Sequence, residues 1–143
     1  MKPAVVIAID PGEKQLGIAI SDPTGTIANP LTVLKHVSRI LDAASIAQIA
    51  GDRGAGLILV GQALDDENRP THQARRAARL AEAIRAQTNI PVMLWDESGS
   101  TQAARQARIT LGVSRSKRRG HMDDLAATVI LQTYLDAHIT SDG

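Results

Sequence analysis

Apolar positions along the chain follow two periods, one of strands and one of helices. Val5-Val6-Ile7-Ala8-Ile9 and Leu57-Ile58-Leu59-Val60-Gly61 are unbroken apolar runs, the pattern of strands buried on both faces. Pro91-Val92-Met93-Leu94-Trp95 is a third run and ends in Asp96-Glu97. Leu16 to Ser21 and Thr26 to Val33 read as two further strands, entered through Pro11-Gly12-Glu13-Lys14 and Asp22-Pro23-Thr24-Gly25. Both connections carry turn chemistry, and connections so short imply antiparallel neighbours. Helical spacing takes over from about Val37 to Arg53, with Val37, Ile40, Leu41 and Ala44 on one face. After a polar loop from Gln62 to Arg69, Ala74, Ala77, Leu80, Ala81 and Ile84 mark a second helix, with Arg75, Arg76, Arg79 and Arg85 on its other faces. A third helix is expected from near Thr101 to Leu111, stopped by Gly112, and a last from Met122 to Ala137. The order β-β-β-α-β-α-β-α-α predicts an α/β fold. Its sheet is mixed and five-stranded, antiparallel over the first three strands, with helices on both faces.

Composition narrows the chemistry. The 143 residues are 43% hydrophobic, enough for one core and too few for two ordinary domains. The expected organisation is a single domain over residues 1–138 with a short tail at 139–143. No cysteine is present, which excludes disulfides, thiolate zinc sites and cysteine nucleophiles. One Trp, one Tyr and no Phe make the core aliphatic. The first apolar run is too short for a signal sequence, and no segment reaches the length of a membrane span. A soluble, cytoplasmic protein is expected. The net charge of +1 says little, but Arg115, Lys117, Arg118 and Arg119 crowd into five positions.

Asp10 is the informative carboxylate. It closes a buried strand, and a carboxylate there needs compensation by a cation or by hydrogen bonds. The plain alternative is a turn residue before Pro11-Gly12. Two more acidic pairs, Asp96-Glu97 and Asp123-Asp124, also fall where an apolar segment meets a turn. Ligands gather beyond the carboxyl ends of parallel strands, and Glu97 has the longer reach of its pair. Asp123 shares one helical face with Ala126, Ala127, Ile130, Leu131 and Tyr134, whereas Asp124 turns toward solvent. Either pair could instead favour a helix N-terminus. Three carboxylates at element ends suit divalent metals, because Mg²⁺ and Mn²⁺ prefer hard oxygen ligands. Two such ions about 3.5–4 Å apart both activate a water and stabilise a leaving oxygen. The four histidines show no ligand spacing, and His121 reads as a loop residue. The basic segment lies immediately before Asp123, where Arg115, Lys117, Arg118 and Arg119 could hold phosphates. The helix bearing Arg75, Arg76 and Arg79 is a rival basic surface.

The ordered set of Asp10-Pro11-Gly12, Gly17, Ala19, Ser21-Asp22, Val60-Gly61, Asp96-Glu97, Ser100-Thr101, Asp123, Ala126-Ala127 and Ile130 to Leu135 resembles the YqgF (RuvX) family over essentially the whole chain. The resemblance implies a ribonuclease H-like fold. It also implies a nuclease that processes the 5′ end of pre-16S ribosomal RNA, described too as a Holliday junction resolvase by analogy with RuvC. Carried over, the family's acidic site would be Asp10, Glu97 and Asp123, both catalytic and metal-binding, with Mg²⁺ or Mn²⁺ as cofactor. The chain departs from the family pattern in having Gln15 and Ser98 where arginines are usual, and Gly61-Gln62-Ala63 where Gly-Leu-Pro is usual. Phosphate contacts are thereby reduced while the acids stay intact.

Three functions compete. A metal-dependent nuclease for structured RNA, or for branched DNA, uses the intact acids. A non-cleaving ribosome-assembly factor would explain the absent arginines. A phosphotransferase of the actin and sugar-kinase type also opens with Asp-x-Gly, but it needs a second domain and a glycine-rich phosphate loop that this chain lacks.

Overall fold

The computed structural model describes residues 5–62, 72–96 and 122–142, with side chains of the last segment described from 125 to 138. Five strands, β1 (Val5–Pro11), β2 (Gln15–Ser21), β3 (Ala28–Lys35), β4 (Ala55–Gln62) and β5 (Val92–Asp96), form one sheet in the order β3-β2-β1-β4-β5. β1 pairs antiparallel with β2, and β2 with β3, while β1, β4 and β5 run parallel. Three helices complete the described chain: α1 (Arg39–Asp52), α2 (His72–Arg85) and α3 (Met122–Asp142). The expected mixed sheet with an antiparallel start is therefore present. The helix expected over Thr101 to Leu111 lies outside the described residues, as does most of the polar loop. Among the described residues, no helix is long and apolar enough to cross a membrane.

Strand alternation divides the core into two layers. Ile7, Ile9, Ile18, Ile58, Val60 and Val92 face α1 and α2, while Val6, Ala8, Ala19 and Leu59 face α3. Both faces of β1 are thus covered, which is why its sequence is apolar without alternation. Within the α1/α2 layer, α2 buries Ala74, Ala77, Leu80, Ala81 and Ile84, the stripe read from the sequence.

Helix α1 differs from expectation. Ser38 caps it, its hydroxyl accepting from the Leu41 N–H at 3.2 Å, and the buried stripe is Asp42, Ala43, Ile46 and Ala50. Val37, Ile40 and Leu41 are exposed instead, at 66%, 68% and 54%. Two small alanines, Ala43 and Ala50, let the helix lie close against the sheet, and Asp42 is tolerated inside because its carboxylate is engaged. Its Oδ2 lies 2.5 Å from His36 Nδ1, and its Oδ1 accepts from the Val37 N–H at 3.1 Å. Two further bounds shift: β3 begins at Ala28 rather than Thr26, and α3 runs to Asp142, past the expected end at Ala137. The stripe of α3 is also wider than read, since Val129, Thr133 and Leu135 are buried with Ala127, Ile130 and Leu131.

Candidate active site

The parallel strands place their carboxyl ends side by side. Ile9 is level with Val60 in the β1–β4 ladder, so Asp10 comes level with Gly61, which in turn pairs with Trp95 on β5. On the other side Asp10 pairs with Gly17 of β2. Alternation after Val6 and Ala8 turns the half-buried Asp10 to the face covered by α3. The carboxylate therefore stands between two glycines on that face, and neither neighbour projects a side chain over it.

Gly61 also sets how closely α3 approaches. A Cβ there would lie 2.5 Å from Ile130 Cδ1, so only glycine lets α3 pack this closely over the strand end. Trp95 and Gln132 fix the same helix at two other points. The Trp95 indole donates to Thr133 Oγ1 at 2.9 Å, and its ring meets Tyr134 edge-on with centroids 5.2 Å apart. Burial there raises the pKa of the Tyr134 hydroxyl above its ordinary value. Gln132 accepts from the Ala28 N–H at 2.9 Å and donates to the Thr26 carbonyl at 3.0 Å. Ala28 pairs with Ser21, whose hydroxyl accepts from the Val6 N–H at 2.9 Å, so Gln132 lies toward the amino end of β1 and Ile130 toward the carboxyl end of β4. The amino end of α3 accordingly points to the strand ends that carry Asp10.

Of the residues singled out from sequence, Asp10 stands as described. Asp123 occupies the first turn of α3, four residues before fully buried Ala127; its side chain lies outside the described set. Glu97, one position beyond β5, is outside the described residues, as are Arg115, Lys117, Arg118 and Arg119. Asp96 is the last residue of β5 and follows the alternation of Val92 and Leu94 onto the α1/α2 face, away from Asp10. Among the described residues, no three His, Asp or Glu side chains group as a metal site.

The turn after Asp10 is held from α2. The Gly12 N–H donates to the Asp10 carbonyl at 3.0 Å, and Arg76 Nη2 donates to the Gly12 carbonyl at 2.8 Å. A Cβ on Gly12 would stand 2.3 Å from the Gln15 carbonyl oxygen, so the tight turn requires glycine. Sequence reading counted Arg76 as surface charge; its inward placement and the His36–Asp42 pair were missed. The one signal available was Asp42 itself, an acid on the same helical face as Ile46 and Ile49.

The profile of a family described as RuvX, Holliday junction resolvase, matches residues 4–137 of this chain. The chain belongs to the RuvX family. A Thermoanaerobacter pseudethanolicus relative is 38% identical over 133 residues, covering 92% of this chain and 96% of its own. A relative from Chloroflexus aggregans is 36% identical over 137 residues, with 96% of each chain covered. Both are described as candidate pre-16S rRNA nucleases. Among solved structures, RuvC of Thermus thermophilus matches with a TM-score of 0.64 at 17% identity, over 95% of this chain and 96% of that one. The fowlpox virus Holliday junction resolvase matches with a TM-score of 0.53 at 14% identity, over 93% and 99%. These likenesses establish a RuvC-like, ribonuclease H-like fold for a member of a nuclease family.

Proposed function

We propose that this RuvX-family chain is a divalent-metal-dependent nuclease that hydrolyses phosphodiesters of precursor 16S ribosomal RNA, with Asp10, Glu97 and Asp123 as its acidic centre. The observation that carries the reading is Asp10 at the carboxyl end of a doubly covered strand, between Gly17 and Gly61, on the face packed by α3. The donor set accords with Mg²⁺ or Mn²⁺. Carboxylates are hard oxygen ligands, and no thiolate is present to favour a softer ion.

Asp10, Glu97 and Asp123 would hold the metal, which when bound supplies an activated water and charge stabilisation of the leaving oxygen. The chain's own contribution is orientation. β1 fixes Asp10 by its ladders on both sides, and Arg76 with Gly12 fixes the turn that follows. α3 is fixed against the sheet through Ile130, Gln132 and Thr133, which keeps Asp123 at a set height above the strand ends. Arg115, Lys117, Arg118 and Arg119 precede Asp123 and would grip phosphates without reading sequence. The RNA substrate is supported by the relatives described as candidate pre-16S rRNA nucleases, and ribosomal RNA processing implies the cytoplasm. Branched DNA is the second reading, favoured by the family description and the RuvC-like fold.

The deciding experiment incubates the purified chain with precursor 16S rRNA and with four-way DNA junctions, each with Mg²⁺, Mn²⁺ or chelator. Metal-dependent cleavage of the RNA, lost in Asp10→Asn, Glu97→Gln and Asp123→Asn, is expected. Cleavage of junctions alone would move the substrate to DNA. Tight RNA binding without cleavage under any metal would leave a non-cleaving assembly factor.

A further inference from the structure

Around the sheet end from Asp10, on the α1/α2 side, lies a cavity of about 210 Å³. It is bounded by the Pro11-Gly12 turn, His36, Arg39 and Asp42 at the start of α1, and Arg76 of α2. One water needs only roughly 10–15 Å³ of such space, so the cavity has room for a phosphate group with its sugar. Its charges are unbalanced. Asp42 is already engaged by His36 Nδ1 at 2.5 Å and the Val37 N–H at 3.1 Å. Arg39, exposed in the first turn of α1, forms no ion pair among the described residues. Among the described residues, Arg76 is held by one arm only: Nη2 donates to the Gly12 carbonyl, while Nη1 is buried with no hydrogen-bond partner.

A guanidinium is a rigid planar fork, so anchoring Nη2 fixes the direction in which Nη1 presents its donors. A buried cationic donor without an acceptor is unfavourable, and native structures rarely leave one unmatched. An oxygen ligand admitted from the cavity to Nη1, by a small displacement of the atoms that cover it, would match it, and with two arginines beside one engaged carboxylate that ligand should be anionic. Phosphate is suited to a fork of this kind, as it accepts from Arg in charge-assisted pairs. The position adds a source for it. Pro11 and Gly12, which border the cavity, directly follow Asp10 in the chain.

We propose that this cavity is a subsite for a phosphate of the substrate strand, bound by Arg76 Nη1 and Arg39, which the strand reaches by passing over the sheet end from Asp10. The inference rests on the nuclease reading above.

Backbone amide NMR of Asp10→Asn in chelator tests it, since without metal a phosphate cannot be held at the acidic centre. The probes are inorganic phosphate and a dinucleoside monophosphate. Both should shift the Gly12, His36 and Arg39 amides and compete with one another, with the dinucleotide binding more tightly. Arg39→Gln, at an exposed position that leaves folding intact, should weaken dinucleotide binding several-fold. Arg76→Gln should weaken it roughly tenfold, the scale of one charge-assisted hydrogen bond, and Arg76→Lys should lose less. No shift with either probe, or shifts indifferent to both Gln changes, overturns the subsite. Phosphate binding that the dinucleotide cannot displace assigns the cavity to a free anion and overturns the strand path. Wild-type chain assayed in parallel separates the two readings. If it cleaves RNA while the cavity stays silent, only the subsite falls. If it cuts neither RNA nor junction DNA, the nuclease reading falls and takes the substrate strand with it.

Discussion

Asp10 and Asp22 end adjacent strands, yet their surroundings give them opposite roles. Asp22 is consumed by its own turn. The Ile27 N–H, the Thr24 hydroxyl and the Thr26 N–H all donate to it, and they lower its pKa from 3.8 to about 2. A lowered folded-state pKa means that this stabilisation is complete above the unfolded value and is lost as pH falls from about 4 toward about 2. Asp22→Asn should therefore lower the urea midpoint near neutral pH and converge with wild type as pH falls below about 2. Denaturation curves across that range check it, and the effect should be small because the turn is exposed. Asp10 lies instead beside glycines on the α3 face. Asp10→Asn is expected to abolish cleavage while leaving the melting temperature unchanged or higher, since it would remove one charge from the proposed cluster of Asp10, Glu97 and Asp123, whose like charges repel without metal. A joint nuclease assay and thermal melt reads both. Unchanged cleavage would place the chemistry elsewhere.

At the scale of elements, caps and close contacts outweigh the apolar pattern. Helix α1 starts where Ser38 accepts the Leu41 N–H, and Ser38→Ala should cost about 1 kcal/mol of unfolding free energy, measurable by chemical denaturation. The face was misread because Val37, Ile40 and Leu41 are apolar at helical spacing, whereas the stripe that packs is small and includes an acid. Hydropathy cannot register that Asp42 will meet His36 across a β–α corner. In α2 the buried and exposed faces differ sharply in polarity, and there the stripe was legible residue by residue. Contact of α3 with the sheet turns on Gly61. Gly61→Ala would force Ile130 aside and should cost about 1–3 kcal/mol, as overpacking does, lowering the melting temperature. Activity should fall further than stability alone explains, because α3 carries Asp123; activity measured well below the melting transition separates the two.

Across the whole molecule, grip and chemistry should separate. Replacing Arg115, Lys117, Arg118 and Arg119 with Ala is expected to weaken RNA binding on every substrate. Each lost phosphate contact should reduce the log–log salt slope by about 0.7 to 0.9. Cleavage at saturating RNA should fall less than affinity, as the acids remain. The rival surface on α2 is smaller than the sequence suggested, because Arg76 turns inward to Gly12 and leaves Arg75 and Arg79 exposed. If the quadruple change leaves affinity and salt slope intact while Arg75→Ala with Arg79→Ala lowers both, the strand runs along α2 instead.

The sequence by itself determined the strands, their parallel and antiparallel sense, and the stripe of α2, and it singled out Asp10 as the candidate carboxylate. Each of these follows from local periodicity, turn length or a charge set against an apolar run. Only the tertiary structure decided the rest. Asp10 faces α3 between two glycines because ladder register and alternation, not residue type, assign a side chain to a face. Asp96 falls on the opposite layer by the same rule. Arg76 reaches the Gly12 carbonyl from 64 positions away, and Asp42 is buried because a partner from β3's end arrives beside it. Contacts between residues so far apart leave no periodic trace along the chain, since they depend on which elements the sheet brings together.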